Sequence, residues 1–208
     1  SVQHRYQLGY APSVQLAGWN FLSTQLSEQE RRLAVEIGLQ VNKENSKGYD
    51  RFRDRIMCPI YDSRGQVCGF GGRILGDGEP KYLNSPESPI YNKSRLLFGL
   101  YHQRDAIRKR RRAVLVEGNF DLLALVARGF ELGVAPLGTA LTKEQLRLLR
   151  PLVDDAVLLF DGDEAGLKAA ERSVPLFLAE QISGLVALLP PEHDPDTFVT
   201  EYGIDQLV

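Results

Sequence analysis

The sequence predicts an α/β fold built on a parallel sheet, and three observations predict it. From residue 113 onward, short apolar runs alternate with amphipathic stretches, as expected of strand–helix units whose strands lie parallel. Three of those apolar runs lead into acids: "AVLVEG" into Glu117, "AVLLFDGD" into Asp161 and Asp163, and "LVALLPPEHDPD" into Asp194 and Asp196. Charge divides at the same place. Residues 47–112 carry 15 basic and seven acidic side chains, whereas residues 113–208 carry six basic and 16 acidic.

With 208 residues the chain can form one large domain or two small ones. The charge division favours a basic α+β part over residues 1–112 and a sheet domain over 113–208. In the first part, "SEQERRLAVEIGL" reads as a helix. Ser27 and Glu30 have capping-box spacing, Leu33, Ala34 and Ile37 form an apolar face, and Gly38 can end it. "RIMCPIYDSRGQVCGFGGRIL" reads as two strands around a "DSRG" turn. Gly69, Gly71 and Gly72 let that backbone bend or approach another molecule closely. "GDGEPKYLNSPESPIYNKS" is loop-rich, and such long irregular segments are more often functional than idle.

The sheet domain then runs strand 113–117, helix about 121–129, strand 131–135, helix 142–150, strand 156–160, helix 164–180 and strand 184–189. The run "RKRRR" at 108–112 reads either as a solvated helix end or as an outer part of an anion-binding track.

Composition narrows the class. Apolar content of 43% and charged content of 25% are those of a globular protein. No apolar run nears the roughly 20 residues that span a bilayer, and the N-terminus has no signal-peptide core. The absence of an initiator Met suggests an excised fragment or a processed chain. Cys58 and Cys68 sit in strand-like contexts and read as reduced, packed thiols. The three histidines have no zinc-ligand spacing.

Ligands of open α/β sheets bind beyond the carboxyl ends of the strands. If the three acid-terminated strands are neighbours, Glu117, Asp161, Asp163, Asp194 and Asp196 converge at one edge. Close carboxylates repel unless a cation lies between them. Hard oxygen donors suit Mg²⁺ or Mn²⁺, and several carboxylates suit the one- or two-metal arrangement of phosphoryl transfer. Individually, Asp163 or Glu164 could cap a helix, and Asp194 and Asp196 could form a turn around Pro195.

"EGNFD" followed by "DGDEAG" resembles the TOPRIM signature of topoisomerases, primases and small nucleases. Four further stretches, "YDRFRDRIMCPIYDSRGQVCGFGGRIL", "PKYLNSPESPIYNKSRLLFGLY", "PLGTALT" and "DPDTFV", narrow it. In order and spacing they resemble the RNA polymerase core of DnaG-type bacterial primases.

The resemblance implies a TOPRIM domain and Mg²⁺- or Mn²⁺-dependent synthesis of RNA primers on single-stranded DNA from nucleoside triphosphates. It implies Glu117, Asp161 and Asp163 as catalytic metal ligands, Asp194 and Asp196 as further ligands, and Asp121 in support. It assigns nucleotide and template–primer contacts to Arg51, Arg53, Arg55, Arg73, Lys81, Tyr82, Asn84 and Lys93. Tyr82 and Tyr91 read either as stacking platforms for bases or as ordinary loop-packing aromatics. Asn119 and Pro136 depart from the family pattern, which usually has Tyr and a small residue there.

Family members are cytoplasmic components of the replication machinery. In the complete protein a replicative helicase is an expected partner, through a domain this chain lacks. Two rival readings are a non-catalytic nucleotide- or nucleic-acid-binding regulatory module, and a TOPRIM nuclease or topoisomerase fragment.

Overall fold

The computed structural model describes residues 1–43, 48–160, 164–190 and 193–207. The chain divides into two compact units. One comprises residues 3–62 and 66–92. The other comprises residues 93–208 with residues 1–2 and 63–65. The division near residue 92 precedes the charge boundary at 112, and the helix between these points belongs with the parallel sheet.

A short helix α1 (Val2–Arg5) begins the chain. The first unit then contains β1 (Gly9–Ala11), α2 (Val14–Ala17), α3 (Phe21–Gln25), α4 (Glu28–Glu36), β2 (Gln40–Val41), β3 (Tyr49–Asp50), β4 (Arg55–Tyr61), β5 (Val67–Ile74) and β6 (Tyr82–Asn84). Its main sheet has the order β1-β4-β5-β6, antiparallel throughout.

The expected capping box starts α4, and Gly38 follows its end at φ +73°. The amides of Gly38 and Leu39 donate to the carbonyls of Val35 and Ala34, a Schellman closure. Ala34 is buried, but Leu33 is 51% exposed, so the buried face is narrower than the sequence pattern implied.

The β4–β5 hairpin forms as expected, closed by Asp62 and Gln66. Asp62 N donates to Gln66 O, and Gln66 N donates to Asp62 Oδ1, each at 2.9 Å. Two of its glycines serve internal packing. A Cβ on Gly69 would lie 2.6 Å from the Tyr91 ring, and one on Gly72 would lie 3.0 Å from the Phe52 ring. Cys58 and Cys68 are free and buried, and desolvation pushes the Cys68 thiol up to about 11.

The second unit contains α5 (Leu100–Arg110), β7 (Arg112–Leu115), α6 (Asn119–Ala127), β8 (Gly133–Val134), α7 (Lys143–Leu149), β9 (Asp155–Phe160), α8 (Glu164–Glu180), β10 (Ser183–Leu188) and α9 (Pro195–Tyr202). Its sheet has the order β10-β9-β7-β8, with every pair parallel. The alternation read from the sequence is therefore what forms. Leu115, Leu158, Leu146, Leu149 and Phe177 are among the core residues that join sheet to helices.

The basic run at 108–112 lies at the amino end of β7, opposite the edge where the acids follow the strands. Arg112 makes a paired contact with Asp155, its partner in the ladder, at 2.6 and 3.0 Å. Arg111 pairs with Asp154 at 2.6 Å. These two arginines tie β7 to the start of β9, while Arg108, Lys109 and Arg110 occupy the last turn of α5, where the helix dipole favours cations.

Two buried glutamines fix the surrounding loops. Gln103 accepts from Gly133 N at 2.7 Å. Gln145 donates to the carbonyls of Lys93 and Leu96, both at 2.9 Å, and accepts from Thr142 N at 3.0 Å. Replacing Gln145 by Ala strands three partly buried partners, so it should lower unfolding free energy by about 2–4 kcal/mol. Urea denaturation checks this, and a loss under about 1 kcal/mol contradicts the anchoring role.

Candidate active site

The strand order creates the site. From β7 the chain crosses to β8 on one side, then returns to β9 on the other side of β7. The β7–β9 boundary is thus a topological switch point, where neighbouring connections leave in opposite directions and open a crevice. Leu115 of β7 is level with Leu158 of β9. The chain continues extended past β7, with Val116 N donating to Val134 O at 3.0 Å. Two residues beyond Leu115 stands Glu117, and immediately beyond Phe160 comes Asp161.

A cavity of about 180 Å³ lies at this edge, lined by Leu115, Val116, Glu117, Leu158 and Phe160 from the strands. Residues Pro136 and Thr139–Leu141 form a second wall, and Ala169, Arg172 and Ser173 of α8 a third. Glu117 is solvent-exposed, next to the apolar strand residues Leu115, Val116, Leu158 and Phe160 of the lining. Asp121 sits in the first turn of α6, and its carboxylate folds back over Gly118, where a Cβ would come within 2.5 Å of Oδ2. The N-terminal end of the helix favours that negative charge. The structure therefore brings Asp121 beside the backbone that carries Glu117.

Asp161 and Asp163 lie outside the described residues. Among the described residues, no group of three acidic, histidine or cysteine side chains is placed to hold a metal ion. The donors that are described, Glu117 and Asp121, are hard carboxylate oxygens at a switch point, and this chemistry fits Mg²⁺ or Mn²⁺.

Asp194 and Asp196 are engaged within the protein. Asp194 is the N-cap of α9, its Oδ1 accepting from Thr197 N at 2.7 Å, while Thr197 Oγ1 accepts from Asp194 N. The Thr197 amide holds the Asp194 carboxyl below the usual carboxylate range. Asp196 forms an ion pair with Arg128 at 2.6 Å. The same guanidinium donates to Thr200 Oγ1 and Ala124 O, so Arg128 clamps α9 onto the end of α6.

Pro136 forms part of the cavity wall, and Asn119 is buried at the start of α6. Of the two departures from the family pattern, Pro136 therefore borders the cavity. Glu164 is exposed in the first turn of α8 and pairs with Lys168 at 2.6 Å, consistent with a helix-end role. Lys93 belongs to this unit, half-buried in a 3₁₀ turn whose carbonyl is held by Gln145.

In the antiparallel unit, Arg73 on β5 faces Tyr82 on β6 in the ladder, and both are exposed. The Lys81 ammonium lies 5.5 Å from the centre of the Tyr82 ring. Asn84 is half-buried, its backbone level with Gly71. Arg51 donates to Gly38 O at 2.8 Å.

Two expectations need correction. Arg55 is only 5% exposed and donates to the carbonyls of Pro80, Lys81 and Gly72. Burial and these acceptors remove it from ligand contact; it anchors the loop that carries Lys81. Tyr91 is 1% exposed, and desolvation pushes its hydroxyl pKa up. It packs over Gly69 and offers no stacking face.

Sequence reading missed Trp19 and Tyr49. The Arg53 guanidinium lies 4.9 Å from the Trp19 ring centre and 5.1 Å from that of Tyr49, and Arg53 also donates to Asp50 O. Trp19 remains 57% exposed. The single tryptophan of the chain was the available signal, but the 34 residues separating it from Arg53 concealed the cluster.

Comparison with known proteins identifies the family. The family described as "DNA primase catalytic core, N-terminal domain" matches residues 1–104, and "Toprim-like" matches residues 114–199. A DNA primase of Halalkalibacterium halodurans is 44% identical over 208 residues, which are 99% of this chain and 34% of that protein. One from Synechococcus elongatus is 47% identical over 214 residues, covering 98% of this chain and 30% of that protein. The chain spans about a third of the length of these curated relatives.

A crystal structure of a DNA primase domain from Pseudomonas aeruginosa superposes with a TM-score of 0.90 at 40% identity, covering 99% of this chain and 65% of that one. A DnaG primase catalytic domain bound to single-stranded DNA gives 0.90 at 36% identity, covering 99% and 67%. Topology, cavity and both family matches converge: the chain belongs to the DnaG-type DNA primase catalytic-core family and carries a Toprim domain.

Proposed function

We propose that this chain makes RNA primers on single-stranded DNA by joining nucleoside triphosphates and releasing pyrophosphate. The observation that carries this reading is the placement of Glu117 just past β7 at the switch point of the parallel sheet, where β7 lies beside β9. The Toprim match and primase relatives over nearly the whole chain support it. The structural relative with single-stranded DNA supports the template class. The expected setting is the cytoplasmic replication machinery; among the described residues no helix is long and apolar enough to cross a membrane.

Glu117, Asp161 and Asp163 would hold Mg²⁺ or Mn²⁺, with Asp121 supporting and Asp194 and Asp196 completing the set. Asp196 would exchange its Arg128 partner to join it. Metal at such a site lowers the pKa of an attacking hydroxyl and neutralises charge on the transferred phosphate. The chain's own residues bind and orient. The apolar strand ends exclude water on one side of the carboxylates and strengthen their electrostatic effect. Arg73, Lys81 and Lys93 are cations for phosphates, while Arg53 with Trp19, and Tyr82 with Lys81, present aromatic faces to bases.

Incubation with single-stranded DNA, ribonucleotides and Mg²⁺ should give short RNA. Glu117→Gln should reduce that synthesis by about two orders of magnitude or more without changing the melting temperature. Equal synthesis by wild type and variant contradicts the assignment. Trp19→Ala should weaken single-stranded DNA binding by about 1–2 kcal/mol through lost stacking, measured by fluorescence anisotropy. Arg73→Ala should lower the salt dependence of that binding by about one unit of log–log slope. An unchanged slope removes Arg73 from the phosphate contacts.

A further inference from the structure

The cavity beside Glu117 contains a cation that the metal-site account does not use. Ala169, Arg172 and Ser173 line it from α8, at spacings of three and four that place them on one helix face. Ser173 is committed, its hydroxyl donating to Ala169 O at 2.8 Å. Arg172 is not. It has no hydrogen-bond or ion-pair partner among the described residues, although it lines the cavity and is solvent-exposed.

Its helical neighbours at three and four positions are Lys168, Ala169, Pro175 and Leu176, so no acid on its own helix can neutralise it. Lys168, one turn earlier, already pairs with Glu164. On the opposite wall Thr139 is exposed, and its hydroxyl likewise has no partner among the described residues.

A guanidinium and a hydroxyl that line one partly apolar cavity suit an oxyanion, because the guanidinium fork matches phosphate oxygens and a low-dielectric wall strengthens the contact. Glu117 shares the cavity and repels a bare anion. An occupant that brings a cation of its own offsets that repulsion, as a polyphosphate chelating a divalent metal does.

We propose that Arg172, assisted by Thr139, is the subsite for the terminal phosphates of the incoming nucleoside triphosphate and for the pyrophosphate it becomes. This rests on the primer-synthesis reading. In the transfer step the bond from a 3′-oxygen to the α-phosphorus forms, and the bond from that phosphorus to the β-bridging oxygen breaks. The electron pair stays on the departing pyrophosphate, and the hydroxyl proton passes to solvent. Arg172 balances the charge gathering on the departing group, so it acts on triphosphate affinity and on leaving-group stabilisation, not on template binding.

The test measures Mg²⁺–pyrophosphate binding by calorimetry and KM for nucleoside triphosphate in the 208-residue chain, comparing wild type with R172A, R172Q and R172K. Expected are at least about tenfold weaker pyrophosphate binding and a matching rise in KM for R172A and R172Q. Partial recovery in R172K, with unchanged melting temperature and single-stranded DNA affinity in all three, completes the expected pattern. Unchanged pyrophosphate affinity and KM in R172A, with wild type making primers, overturns the subsite and leaves the functional reading intact. Pyrophosphate binding that depends on Arg172 in a wild-type chain that makes no RNA overturns the functional reading instead. Loss of affinity only together with a lowered melting temperature in both R172A and R172Q assigns Arg172 a packing role and overturns the proposal.

Discussion

The pairing of β7 with β9 sets two strands side by side and pointing the same way, although α6, β8 and α7 lie between them in sequence. That register decides where chemistry can occur. Parallel strands need helical crossovers, so all carboxyl ends collect at one edge and all amino ends at the other. Arg111 and Arg112 fasten the amino edge through Asp154 and Asp155. At the opposite edge Glu117 follows β7, and β9 ends at Phe160. A slip in this ladder would move Glu117 out of line with the end of β9, and the proposed metal site would lose the adjacency it requires.

Around that edge, ordinary structural devices hold the candidate groups. Asp121 is placed by the first turn of α6, Asp194 starts α9, and Arg128 locks α9 to α6. Gln145 holds the chain on either side of Lys93 to Leu96 against the start of α7, whose preceding loop forms a cavity wall. The same residues thus serve stability and position. The antiparallel unit shows the converse arrangement, with its glycines and Arg55 turned inward to support the loop that exposes Lys81 and Tyr82.

Much of this was legible in the sequence because its causes are local. Strand–helix alternation, the Ser27–Glu30 cap and the "DSRG" hairpin depend on neighbours a few residues away, and all formed as read. The acids at strand ends were also legible, and the strand order supplied the adjacency that sequence could only pose as a condition. What sequence hid depends on burial and long-range contact. Arg55 and Arg53 look alike in "RFRDR", yet one is spent on buried carbonyls and the other lies over two aromatic rings. Tyr82 and Tyr91 occur in one loop-rich stretch, and only the packing over Gly69 separates a buried ring from an exposed one. Asp196 reads as a ligand by motif, while its partner Arg128 is 68 residues away in the chain.

The central claim is that the acids at the β7–β9 edge are a divalent-metal site. Its most direct measurement is the anomalous scattering of Mn²⁺ soaked into crystals of the chain. The account predicts manganese at this edge, with the Glu117 carboxylate among its ligands and the peak abolished in a Glu117→Gln crystal. Manganese absent from this edge at saturating concentration, or bound only elsewhere on the molecule, would contradict it.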